Sequence, residues 1–216
     1  MFDLHTHTYF SDGVLGPAEL AQRCLVQGYR GLVITDHCDH ASLEPTLGRL
    51  VEFCRTASGH YGEMSILPGC ELTHVPPDQI AELTVRAREL GAQAVLVHGE
   101  TIVEPVRRGT NHAAISAGVD VLAHPGLIAA EDVALAAEQG VLLELSGRKG
   151  HCLTNGRVAR LAIEHGAALS FGSDGHAPGD YPNRAMACRI LTGAGLSDQQ
   201  VEQVIANNAR FFSKRR

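Results

Sequence analysis

Ala94-Val95-Leu96-Val97-His98-Gly99 decides the fold class: four apolar residues in a row, then a histidine and a glycine. The run is short and does not alternate polar with apolar, so it reads as a strand buried on both faces, the habit of a parallel sheet. The pattern recurs on either side. Toward the C-terminus, Val119 to Ala123 ends at His124, Val141 to Leu145 runs on to Arg148, and Ala168 to Phe171 leads into Gly172-Ser-Asp174-Gly-His176. Toward the N-terminus, Ser65-Ile-Leu67 precedes Gly69-Cys-Glu71, and Leu32-Val-Ile34 precedes Thr35-Asp36-His37. Phe2 to about His5 opens the chain, with His7 just beyond.

Helical stretches separate these runs. Pro17 starts one at the first helical position and Gly28 ends it. Others are expected over 43–58, 78–90 (Asp78 as N-cap), 111–118, 130–139 and 155–165, then 183–193 and 197–212 after the last strand. Ser197-Asp-Gln-Gln200 opens the final helix as a capping box. Seven β-α units without linker, repeat or low-complexity segment predict an α/β fold, an incomplete (β/α) barrel of the TIM type, as a single domain over residues 1–216.

Composition narrows the function classes. The 216 residues carry 18 Lys and Arg against 24 Asp and Glu, a net charge of −6, so no basic footprint points to nucleic acid. The one local basic run, Ser213-Lys-Arg-Arg216, reads as a solvated tail. No apolar run is long enough to span a membrane, and donor residues begin at position 5, where a cleaved leader would remove them; a cytoplasmic protein is expected. Six cysteines form no C-x-x-C pair, so a thiolate zinc site is unsupported. Cys38 and Cys70 neighbour donor residues and should point the opposite way, into the packing behind the strands.

The donors themselves fall at strand ends: His5, His7, Asp12, His37, Glu71, His98, His124, Asp174 and His176. In parallel barrels the functional face lies at the C-terminal ends of the strands. Imidazole and carboxylate groups gathered there describe a polynuclear metal site.

With these motifs in place, the chain resembles the PHP (polymerase and histidinol phosphatase) family of metal-dependent phosphoesterases. The match is carried by Asp3-Leu-His5-Thr-His7, Ser11-Asp12-Gly13, Thr35-Asp36-His37, Gly69-Cys-Glu71, Val97-His98-Gly99, Ala123-His124-Pro125-Gly126 and Gly172-Ser-Asp174-Gly-His176, nearly the whole chain. The resemblance implies a distorted (β/α)7 barrel holding two to three divalent ions. His5, His7, Glu71 and Asp174 would hold the first, Glu71 (bridging), His98 and His124 the second, and Asp12, His37 and His176 the third. Relatives often carry histidine at the Asp12 position; aspartate there hardens the third site and brings manganese or iron in beside zinc.

The implied reaction is hydrolysis of a small phosphorylated substrate, a histidinol-phosphate-like or nucleotide monoester. The attacking group would be a hydroxide held between metals, with Glu71, Asp174 and His176 at the reacting centre. Three divalent ions would bring about +6 of charge against about −3 from the carboxylates, and the surplus suits an anionic phosphoryl group.

Asp3 and Asp36, close before His5 and His37, are candidates to orient imidazoles. His74, Arg148 and Arg184 are candidates to touch substrate, the arginines through phosphate. Tyr9, Phe10 and Tyr181 are the aromatics expected near the mouth. Glu144 reads as a barrel residue bonded to its neighbours, and His40, His60, His112 and His151 as loop or surface histidines. Three alternatives stay open: a phosphodiesterase on the same cluster, an amidohydrolase-type hydrolase, and a non-catalytic module. The amidohydrolase reading wants a lysine on the fourth strand, and the two lysines are Lys149 and Lys214. The oligomeric state has no signature.

Overall fold

In the computed structural model, which describes residues 1–215, the apolar runs form parallel strands. They are β1 (Phe2–Asp3), β2 (Gly31–Ile34), β3 (His37–Cys38), β4 (Ser65–Leu72), β5 (Ala94–His98), β6 (Val121–Ala123), β7 (Leu142–Ser146) and β8 (Leu169–Gly172). The sheet runs β1-β2-β4-β5-β6-β7-β8, and β3 pairs with β4 off that path. His37 therefore does not close β2, as its position had suggested. The chain leaves β2 when Thr35 donates its N–H to Thr6 O at 2.8 Å. It resumes pairing two residues on, with His37 opposite Glu71.

Helices alternate with the strands: α1 (Pro17–Val26), α2 (Leu43–Ala57), α3 (Ile80–Glu89), α4 (Thr110–Ser116), α5 (Ala130–Gln139) and α6 (Asn155–His165). After β8 come α7 (Arg184–Gly193) and α8 (Asp198–Ser213). Ser197 and Gln200 form the expected capping box. Asp78 does not cap α3; it lies inside a one-turn 3-10 helix, Pro77–Gln79, and Gln79 precedes the α-helix. Two adjacent prolines, Pro76 and Pro77, fix the backbone there and tighten the entry turn.

Strand periodicity explains why the barrel has both a greasy floor and a polar rim. Alternate residues share a face. Val95 and Val97 join the large core between sheet and helices, whereas Ala94 and Leu96 point into the barrel with Leu4, Val33 and Val121. Phe211 and Phe212 of α8 plug that inner cluster from below. Their burial contributes roughly 1.5–3 kcal/mol each. His98, two residues past Leu96, continues the inward face at the top.

Between β1 and β8 the barrel closes without a regular ladder. Thr6 bridges to Gly175, Asp174 N–H donates to His5 O at 2.9 Å, and His7 N–H donates to Gly175 O at 3.0 Å. Lower down, buried Asn208 of α8 accepts from Phe171 N at 3.2 Å and donates to Phe171 O at 2.7 Å and Phe2 O at 3.0 Å. One side-chain amide thus links the first strand to the last.

Among the described residues, no helix is long and apolar enough to cross a membrane. The basic run at 213–216 is not the free tail expected from its composition. Arg215 packs over the Phe211 ring, 3.5 Å from its centroid, and pairs with Asp120. Arg216 lies outside the described residues.

Candidate metal centre and active site

The structure brings all nine candidate donors into one cluster at the C-terminal end of the barrel, with Asp12, His37, His98, His124, Asp174 and His176 lining a cavity above it. Glu71 stands among four imidazoles: His37 Nδ1 at 2.6 Å, His124 Nε2 at 3.3 Å, His5 Nε2 at 3.5 Å and His7 Nε2 at 3.8 Å. Asp174 faces His7 at 3.4 Å, His176 at 3.5 Å and His124 at 3.6 Å. Asp12 reaches in from its loop to His176 Nε2 at 3.0 Å and His37 Nε2 at 3.4 Å. Donor atoms within 4.8 Å of one another form four groups: His7-Asp12-His37-His176, His5-His7-Glu71, His5-His124-Asp174 and His98-His124-His151. Two of these donors sit on left-handed backbone, His124 at φ 28° and Asp174 at φ 53°. Such conformations cost roughly 1–3 kcal/mol each and persist where surrounding structure enforces them.

Electrostatics prepares the carboxylates to be ligands. Burial opposes ionisation of Glu71, but His5 and His37 outweigh it and hold its carboxyl well below the usual range. Asp174 is likewise held low against burial, chiefly by His5 and a hydrogen bond from His7. Burial pushes His7 down to about 3, so its imidazole stays neutral, the form that ligates. Buried polar atoms with no hydrogen-bond partner concentrate here. Among the described residues, all but Thr101 Oγ1 and Ser170 Oγ belong to these donors, Glu144 or His151. Leaving so many buried groups unpaired is expensive. Nitrogen and oxygen donors of this kind fit divalent ions.

The supporting carboxylates work differently from expectation. Asp3 does not touch an imidazole: it accepts from the backbone N–H of His5 at 3.2 Å and of Ser173 at 3.0 Å, fixing two donor loops to each other. Burial pushes its carboxyl up to about 6 despite those bonds. Asp36 also leaves the rings alone. It accepts from Thr8 N–H, Thr8 Oγ1 and Ser11 Oγ, each at 2.7 Å, and so shapes the loop that carries Asp12. The residue that does hold a ring is Glu144 of β7, 2.7 Å from His5 Nδ1. A carboxylate there accepts a hydrogen bond from Nδ1–H and leaves the Nε2 lone pair free to ligate.

A cavity of about 370 Å³ opens above the donors. Arg148 lines it, with Nη1 3.1 Å from Asp174 O and in contact with His176 Nδ1. His74 lines the same cavity at its mouth, on left-handed backbone at φ 54°. Arg184 is not brought there: its guanidinium is exposed and bonds both oxygens of Glu202 at 2.7 Å, so the expected substrate contact is corrected. Tyr9, Phe10 and Tyr181 do not line the cavity either; Tyr181 is buried, with its hydroxyl on Gly175 O. His40, His60 and His112 are surface residues. His151 is buried beside His124 and had been misassigned.

The model of the PHP domain matches residues 3–99 of this chain. An uncharacterized protein of Methanocaldococcus jannaschii is 40% identical over 99% of both chains. The chain belongs to the PHP family. Among solved structures, this PHP protein superposes on a chain of archaeal ribonuclease P with mature tRNA at a TM-score of 0.75. That match has 15% identity and covers 98% of this chain and 90% of the other. Histidinol phosphate phosphatase from Lactococcus lactis, complexed with zinc, L-histidinol and phosphate, matches at a TM-score of 0.63. Identity is 13%, with 91% and 94% of the two chains covered. At such identities the likeness is one of fold.

Proposed function

We propose that this PHP protein hydrolyses small phosphomonoesters, histidinol-phosphate-like or nucleotide, with two to three divalent ions (zinc, manganese or iron), as a cytoplasmic enzyme. The class, metal-dependent phosphoesterase, follows from the family. One observation carries the substrate: the Arg148 guanidinium stands beside Asp174 and His176, at the rim of a buried donor cluster and inside a cavity sized for a small molecule.

The residues that would hold the ions are His5, His7, Asp12, His37, Glu71, His98, His124, Asp174 and His176. Bound there, divalent ions supply positive charge against the phosphoryl oxygens and lower the pKa of water into the neutral range. Glu71, Asp174 and Asp12 stay ionised through their imidazole neighbours. Glu144 keeps the His5 ring in one orientation. Arg148, with its guanidinium steadied on Asp174 O, presents its remaining N–H groups to a phosphate oxygen. Water's oxygen would form the new bond to phosphorus as the ester P–O bond breaks, the proton that water gives up passing to the leaving oxygen, and the alcohol would leave toward the mouth, past His74. No polynucleotide track is invoked, since among the described residues the aromatic rings lining the cavity are all histidines.

Phosphate release from a panel of small monoesters and from bis-p-nitrophenyl phosphate, measured beside metal content, tests the reading. Monoester turnover with bound metal is expected. Turnover confined to the diester or to polynucleotides would overturn it.

A further inference from the structure

His151 opens a one-turn 3-10 helix, His151–Thr154, just after β7. It is only 3% exposed. Its ring centroid lies 4.1 Å from that of His124 and 5.8 Å from that of His98. The Nδ1 atoms of His151, His98 and His124 are all buried without a hydrogen-bond partner. One donor atom from each of the three falls within 4.8 Å of the others. Glu104, from the loop after β5, spans the group: Oε2 is 2.9 Å from His98 Nε2 and Oε1 is 3.3 Å from His151 Nε2.

Packing does not explain this group. An apolar contact among three imidazoles leaves three ring nitrogens desolvated and unpaired, a cost paid several times over. A shared cation relieves that cost. Three imidazoles and one carboxylate make the N3O donor set that suits a four-coordinate zinc-type ion.

The turn is also held rigid. Asn155 accepts from Ser146 N–H at 3.1 Å and donates to Ser146 O at 2.9 Å, pinning the segment to the end of β7. Gly150, at φ 93°, lies alongside Val103, the residue before Glu104, close enough that a Cβ on it would contact the valine methyls. The two loops therefore present His151 and Glu104 together.

We propose that His151 is a ligand of the metal ion held by His98 and His124, which Glu71 would bridge to its neighbour, with the Glu104 carboxylate as a further, displaceable donor. The inference rests on the metal-dependent reading above and changes the ligand set that the family motifs alone suggest. Glu104, 38% exposed at the cavity side, is the donor that an incoming substrate oxygen can displace. His151, enclosed, is the one that stays.

The test is zinc binding by competition with a chromophoric chelator, for the wild type, His151→Ala, His151→Gln and the exposed control His112→Ala. One equivalent should weaken in both His151 variants by at least ~100-fold, at or beyond the upper end of what loss of a merely orienting partner costs. The other equivalents and the control should match the wild type. A smaller loss in His151→Gln, with the wild type fully loaded, overturns the inference while leaving the metal reading intact. A wild type that takes up no zinc overturns both. If the variants misfold by circular dichroism, anomalous diffraction from zinc-loaded wild-type crystals decides. A zinc peak about 2.0–2.1 Å from a His151 nitrogen is expected, and its absence there is fatal.

Discussion

Glu71 shows at the scale of one side chain why the donors behave as a set. Its two oxygens serve four imidazoles, so Glu71→Gln removes the charge that compensates them all. Metal content should drop by more than one equivalent, and kcat/KM should fall by at least ~100-fold, the scale of losing a metal-organising group. Activity within tenfold of wild type would exclude a bridging role. Asp12, half-exposed on its loop, touches two of the candidate imidazoles, His37 and His176, and accepts from its neighbour Ser11 Oγ. Asp12→Ala should deplete one metal and spare the rest, as read by elemental analysis; retention of every equivalent would remove Asp12 from the ligand set. Arg148→Ala should mainly raise KM, and Arg148→Lys should not restore it, because an ammonium cannot bond Asp174 O and a phosphate in the same fork. Unchanged steady-state constants would take Arg148 out of the pocket's chemistry. At this scale the clustering of the nine donors was legible because they lie at the ends of apolar strand runs or in the loops just beyond, the face where a parallel barrel gathers its loops. His151 and Glu104 were not, since they sit on loops whose course only tertiary contacts determine. Arg184 misled for the same reason: its partner Glu202 is eighteen residues away on another helix.

At the scale of elements, the lower part of the barrel seam is held by one amide, below the backbone contacts of Thr6, His7 and Asp174. Asn208→Leu deletes three hydrogen bonds and leaves Phe2 O and the Phe171 backbone groups without them, which costs about 2–4 kcal/mol. For a chain of this length that corresponds to a Tm lowered by roughly 5–15 °C, readable by calorimetry or circular dichroism. A shift within 1 °C would mean that α8 does not hold β1 to β8. Gly126 marks a second dependence. It follows His124 on left-handed backbone at φ 62°, and a Cβ there would collide with the carbonyl of Glu100. The helices and strands were read nearly residue by residue from apolar runs, caps and glycines. β3 escaped because two residues carry no periodicity, and the Asp78 cap failed because neighbouring prolines had already set a tighter turn.

The whole molecule concentrates its unpaired buried groups at one end and its apolar packing everywhere else. Stability should therefore respond to metal far more than to salt. A ligand present at a thousand times its Kd adds about 4 kcal/mol, so exhaustive chelation should lower the Tm and restoring a divalent ion should raise it again. A Tm indifferent to chelation would show that the donor cluster is satisfied within the protein.

Phe2 and Asn208 meet across almost the whole chain, and His5 meets Asp174 in the same way. A nascent chain emerging from the ribosome could bury α1 to α6 against their strands and still have no finished metal pocket, because the pieces that join its first and last donors are synthesised at opposite times. A complete donor cluster therefore needs both the first and the last strand in place.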